Sequence, residues 1–159
     1  MSGRRRRGAG FAAGFTYLGL LFVLAIASAG ALLVTKLYSL EVRREKEAEL
    51  LFVGEQYAAA IQRYREANGG LPDPYPKELA ALLKDPNVPQ TRRFLRRLYA
   101  DPLTGSAQWG LVRSPLGGIT GVYSLDARAP VKKTGFPSGR EEFASASRYD
   151  GWRFVARGL

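Results

Sequence analysis

The chain has 159 residues, enough for one domain and an appendage, and an ordinary apolar content of 46%, which argues against disorder. It has no cysteine and no histidine, which excludes disulfides, thiolate nucleophiles, zinc–sulfur sites and Ser-His-Asp catalysis. The net charge of +10 invites a nucleic-acid reading, but the run Arg4-Arg5-Arg6-Arg7 accounts for part of it and about +6 remains.

That arginine run directly precedes an uncharged stretch from Gly8 to Thr35. At about 28 residues it exceeds the roughly 20 that cross a bilayer as a helix. A basic flank on one side of such a segment marks the cytoplasmic side, which places everything after it outside the cytoplasm. The apolar run is too long for a secretory signal peptide, and the charged segment KLYSLEVRREKEAE (36–49) follows it rather than an Ala-x-Ala site. This segment carries both signs, with Arg43 and Glu47 at i,i+4, and reads as a solvated helix face.

Leu50, Val53, Tyr57, Ile61 and Tyr64 then recur at three- and four-residue steps, an amphipathic stripe. No proline interrupts positions 15–68, and Asn68-Gly69-Gly70 with Pro72 is a stop. The pattern predicts one helix from about Phe15 to Ala67, about 80 Å long. Residues 15–36 form its membrane half and residues 37–68 a projecting amphipathic half. Residues 69–159 form an α+β domain outside the cytoplasm.

After the linker LPDPYP, residues 77–84 predict a short helix with Leu79, Leu82 and Leu83 inward, ended by Asp85-Pro86. Residues 91–99 predict another, with Arg92, Arg93, Arg96 and Arg97 on one side and Phe94, Leu95 and Leu98 on the other. Those four arginines are the candidate basic face for an anionic partner. No aromatic interleaves with the arginines on their own side, which disfavours single-stranded nucleic acid. Asp101-Pro102-Leu103-Thr104-Gly105 reads as a turn. QWGLVRS, GVYSLD and GWRFVA read as three antiparallel strands, with EEFASASRY a short helix or irregular segment before the last. Trp109 and Trp152 are expected in the core or the sheet. The sum is an α+β domain of about three strands against a long helix. No catalytic set and no cofactor site can be assembled from it.

Residues 14–22, GFTYLGLLF, together with the short basic leader MSGRRRRGAGFAAG, resemble the N-terminal signal of type IV pilins and type II secretion pseudopilins. The resemblance implies a pilin-like fold and a leader at 1–14. It also implies cleavage between Gly14 and Phe15 by a prepilin peptidase, and N-methylation of Phe15. Family members carry a Glu at the fifth mature position, which pairs with a neighbouring subunit in the fibre; here that position is Gly19. The departure implies an atypical or minor subunit.

The function implied is that of a structural subunit of a pseudopilus that supports export of folded proteins across the outer membrane. The subunit would be held in the inner membrane, its N-terminus cytoplasmic and its domain periplasmic. Its partners would be other pseudopilins, the peptidase, the secretion platform and lipid. The alternatives are a minor pilin-like module for DNA uptake or adhesion, and an uncleaved single-pass scaffold. Major members hold calcium in the loop before the last strand. The carboxylates available here, Asp126, Glu141, Glu142 and Asp150, do not resemble that site, so no metal is expected.

Overall fold

The computed structural model describes residues 13–157, with side chains described at 17–26 and from 38 onward. The expected leader lies outside the described residues apart from the backbone of Ala13 and Gly14. The chain divides into two compact units, Met1–Glu41 and Val42–Leu159.

Helix α1 spans Ala13–Ala67, 55 residues. Within the second unit its stripe Leu50, Val53, Tyr57, Ile61 and Tyr64 is buried, each side chain at most 3% exposed. The stop is made by a side chain as well as by glycines. The Asn68 backbone N–H makes the last i→i−4 bond to the Tyr64 carbonyl at 3.1 Å, and its Nδ2 donates to the same oxygen at 3.0 Å.

The class is α+β, with one three-stranded antiparallel sheet in the order β1 (Gly110–Arg113), β2 (Ile119–Tyr123), β3 (Phe154–Val155). β1 and β2 are joined by a tight turn closed by Ser114 N–H to the Gly118 carbonyl, with Gly117 at φ +88°. The register pairs Gly110 with Tyr123 and Val112 with Gly121, and slips between Val112 and Arg113. β3 pairs Val122 with Phe154. Ile119, Val122 and Phe154 are fully buried and belong to the same core as the helix stripe.

The sheet approaches the helix at Gly54. A Cβ there would stand 2.4 Å from Cγ of Phe154 and 2.5 Å from both Cδ atoms. In an exposed helix, Gly→Ala is worth about 1 kcal/mol of stabilisation. Gly54→Ala is expected to have the opposite sign, lowering stability by about 1–3 kcal/mol because the aromatic ring must move. The urea midpoint by tryptophan fluorescence reads it, and a raised midpoint contradicts this packing.

Two expected helices are not formed as predicted. Residues 77–84 give only a 3-10 helix, Leu79–Leu82, with Leu82 fully buried and Leu79 and Leu83 half-buried. The segment between Pro76 and Pro86 is too short to repay helix nucleation. Residues 91–99 are not helical. The N–H groups of Phe94 and Leu95 both donate to the Leu82 carbonyl at 2.9 Å, and Asp85 N–H donates to the Arg92 carbonyl at 3.0 Å. The backbone pairs across to 82–85 instead of along itself. Leu95 is buried, but Leu98, expected inward, is 43% exposed. EEFASASRY contains one 3-10 helix, Glu141–Ser145, and a second, Tyr149–Gly151, begins at its last residue.

Candidate functional site

In the first unit, Tyr17, Leu18, Leu20, Leu21, Phe22, Val23 and Ile26 are all 47–69% exposed. At 3.6 residues per turn these positions surround the helix. A helix apolar on every side is one that another apolar phase or other helices must cover. Gly14 and Phe15 lie in the first turn of α1 by backbone, and their side chains are outside the described residues. A Cβ at Gly19 would meet nothing within 4 Å, so sterics within this chain do not account for the missing carboxylate. Among the described residues no helix is long and apolar enough to cross a membrane. The stretch Gly8–Thr35 includes positions and side chains outside that description.

The second unit is tied to its helix by three buried polar contacts that sequence reading missed. The first is Glu47, read as a solvated partner of Arg43 but in fact 2% exposed. Its carboxylate accepts from the N–H groups of Val131 (2.6 Å) and Lys132 (3.1 and 3.2 Å) and from the Tyr149 hydroxyl (2.7 Å). Burial, reinforced by the hydrogen bond to Glu47 and its charge, raises the Tyr149 hydroxyl above the usual phenol range. The available signal was phase. Glu47 falls three residues before Leu50, on the apolar stripe, where a solvated charge does not belong.

The second contact is Arg140, which donates from Nε to Glu55 at 2.6 Å and from Nη2 to the Val155 carbonyl at 3.3 Å. Its guanidinium also lies over the Phe143 and Phe154 rings. The third is Asp85, 1% exposed, read only as a helix stop. It accepts from Arg92 Nε (2.8 Å) and Nη2, from Asn68 Nδ2 (3.2 Å) and from the Asn87 N–H (3.0 Å).

The four arginines of the expected basic face are thereby separated. Arg92 turns inward to Asp85 and Asn68. Arg97 lies 5.0 Å from the Tyr99 ring centroid. Arg93 and Arg96 remain exposed and line a cleft of about 470 Å3 with Arg63. Without a helix over 91–99, nothing places all four on one side.

Of the carboxylates considered for calcium, Asp126 is buried and ion-paired with Arg128, Glu141 accepts from the Gly139 N–H at 2.9 Å, and Asp150 pairs with Arg148 at 2.9 Å. Among the described residues no group of three or more His, Cys, Asp or Glu side chains could hold a metal ion. Trp109 and Trp152 are both buried, donating to the carbonyls of Tyr99 and Phe143.

The buried aspartates set an acid limit. At Asp85 burial opposes ionisation, but the Asn87 N–H, Arg92 and Asn68 together outweigh it and hold the carboxyl below its usual range. At Asp126 the Arg128 hydrogen bond leads, against burial, with the same result. A depressed folded-state value contributes stability above the unfolded pKa of about 3.9, and that stability is lost as pH falls through the folded value. Urea midpoints are therefore expected to be flat near neutrality and to fall steeply below about pH 4. Asp85→Asn should flatten that acid slope, and an unchanged slope counts against this assignment.

Comparison with protein-family models, with curated proteins and with solved structures returns no match for this chain.

Proposed function

We propose that this protein is an atypical or minor structural subunit of a type II secretion pseudopilus, or of a close pilin-like assembly. It is anchored in the inner membrane by the apolar segment within Gly8–Thr35, with the domain from Val42 onward on the periplasmic side. A prepilin peptidase removes residues 1–14, and Phe15 becomes the methylated N-terminus. The apolar helix packs against lipid and then against the helices of other pseudopilins, handed over by the secretion platform.

One observation carries this reading. The same helix that is apolar and exposed all round at Tyr17–Ile26 goes on to supply the buried stripe Leu50–Tyr64 of its own domain. A passive tether does not need to be the central core element of the domain it tethers. A small three-stranded sheet against that stripe supports a pilin-like arrangement. The reading assigns no cofactor and no catalysis.

Gly19 favours a second reading, a single-pass scaffold that is never cleaved, because the carboxylate that would engage a neighbour is missing. DNA uptake is less well supported, since Arg92 is withdrawn from the basic surface. Processing at Gly14 by a prepilin peptidase separates the first two readings.

A further inference from the structure

We infer that the arginine cleft at Arg63, Arg93 and Arg96 receives the Glu45–Phe52 helix segment of a second copy of this chain. The unit from Val42 onward then carries both halves of a contact between copies. This goes beyond the reading above and holds whether or not the leader is cleaved.

The cleft encloses about 470 Å3 and is lined by Arg63, Arg93, Phe94, Leu95 and Arg96, with no carboxylate. The Phe94 carbonyl accepts from Arg63 Nη2 at 3.0 Å, which holds that guanidinium against the 93–96 segment. None of the three arginines makes an ion pair among the described residues. Glu66, three residues after Arg63, accepts from Gln62 Nε2 at 2.9 Å and keeps its charge, but the arginines outnumber it three to one. Asp85 is engaged by Arg92. Cations gathered in one concave site raise a positive potential that an anion relieves.

The same unit presents the complement. Glu45 and Glu49 are exposed and make no ion pair among the described residues. A like-charged pair at i,i+4 destabilises its own helix, so nothing within the chain favours it. Arg44 and Lys46 lie about 100° to either side of Glu45 and do not pair with it. Phe52, 61% exposed, follows three residues after Glu49. At about 100° per residue, Glu45, Glu49, Phe52 and Arg63 share one side of α1, with about 27 Å of helix between Glu45 and Arg63. That separation keeps a copy from neutralising its own cleft. Between copies the match is direct. Two carboxylates meet three guanidinium forks that can hold them bidentately, and the Phe52 ring leaves water against Phe94.

The test uses the full chain in mild detergent, with self-association read by sedimentation velocity. The expected result is association that weakens about tenfold between about 50 and 500 mM salt. Glu45→Lys with Glu49→Lys in one variant, and Arg93→Glu with Arg96→Glu in another, should each weaken self-association about tenfold. An equimolar mixture of the two should restore it, which also shows that both variants fold. The chain has no cysteine, so Glu49→Cys mixed with Arg96→Cys should form a disulfide-linked pair in higher yield than either alone. A wild-type chain that stays monomeric overturns the contact, as do charge variants that associate like wild type. Weakened variants that the mixture does not restore overturn the pairing of these two patches. Duplex DNA binding lost in Arg93→Glu with Arg96→Glu, with self-association unchanged, overturns it in favour of a nucleic-acid site.

Discussion

Glu47→Ala is expected to lower the stability of the domain by about 3 kcal/mol, a large part of the 5–15 kcal/mol typical of a folded domain. The substitution strands the N–H groups of Val131 and Lys132 and the hydroxyl of Tyr149, which is fully buried. Each unsatisfied buried group costs about 1–3 kcal/mol. Recovery of the Glu47 desolvation cost, and water entering from the adjoining pocket, offset part of that sum. Glu47→Gln keeps one acceptor oxygen but points an NH2 at a donor, so about half the loss is expected. The measurement is urea unfolding of the chain in mild detergent, followed by tryptophan fluorescence. A loss below about 1 kcal/mol for Glu47→Ala would show that these bonds are replaced by solvent.

Trp152→Ala is expected to cost about 4 kcal/mol, in the range for deleting a buried aromatic. Trp152 is fully buried and stacks on Phe143 at 5.5 Å with 9° between the rings. Phe136 and Tyr149 meet it edge-on at 5.3 and 5.4 Å. Its Nε1 donates to the Phe143 carbonyl at 3.1 Å, so the truncation also removes the partner of a buried acceptor. Trp152→Phe keeps most of the ring volume and should cost about 2 kcal/mol. Tyr149 links this cluster to Glu47, so the two truncations should be less than additive in a double-mutant cycle. Full additivity would mean that the 149–152 segment does not couple them.

The elements legible in the sequence are those written as local patterns. The stripe from Leu50 to Tyr64 is visible as period and is buried as expected. The three strands follow from aromatic and β-branched runs set apart by Gly117-Gly118, and the α+β class follows with them. The illegible parts depend on partners distant in sequence. TRRFLRRLY has helical composition, yet its N–H groups find the Leu82 carbonyl and Arg92 finds Asp85, so tertiary pairing overrides propensity.

Glu47 is the sharpest case. Its local neighbourhood reads as solvated charge, and only the loop at 131–132, more than 80 residues away, reveals why a carboxylate sits on the buried face. Gly54 is similar, an isolated helical glycine whose reason is the Phe154 ring of the last strand. At the candidate site, the basic face expected at Arg92–Arg97 was not legible. That face depended on a helix that the fold does not form.

In the proposed reading the N-terminus is a processed signal rather than a plain anchor. Intact mass spectrometry of the full chain, purified from membranes of cells with and without an active prepilin peptidase, tests this directly. Only the peptidase-positive sample is expected to lose residues 1–14 and to gain one methyl group at Phe15. Gly14→Ala, at the position where the proposed cleavage falls, should block both changes while leaving the chain in the membrane. An identical mass in the two samples, with Met1 or Ser2 still at the N-terminus, would contradict the account.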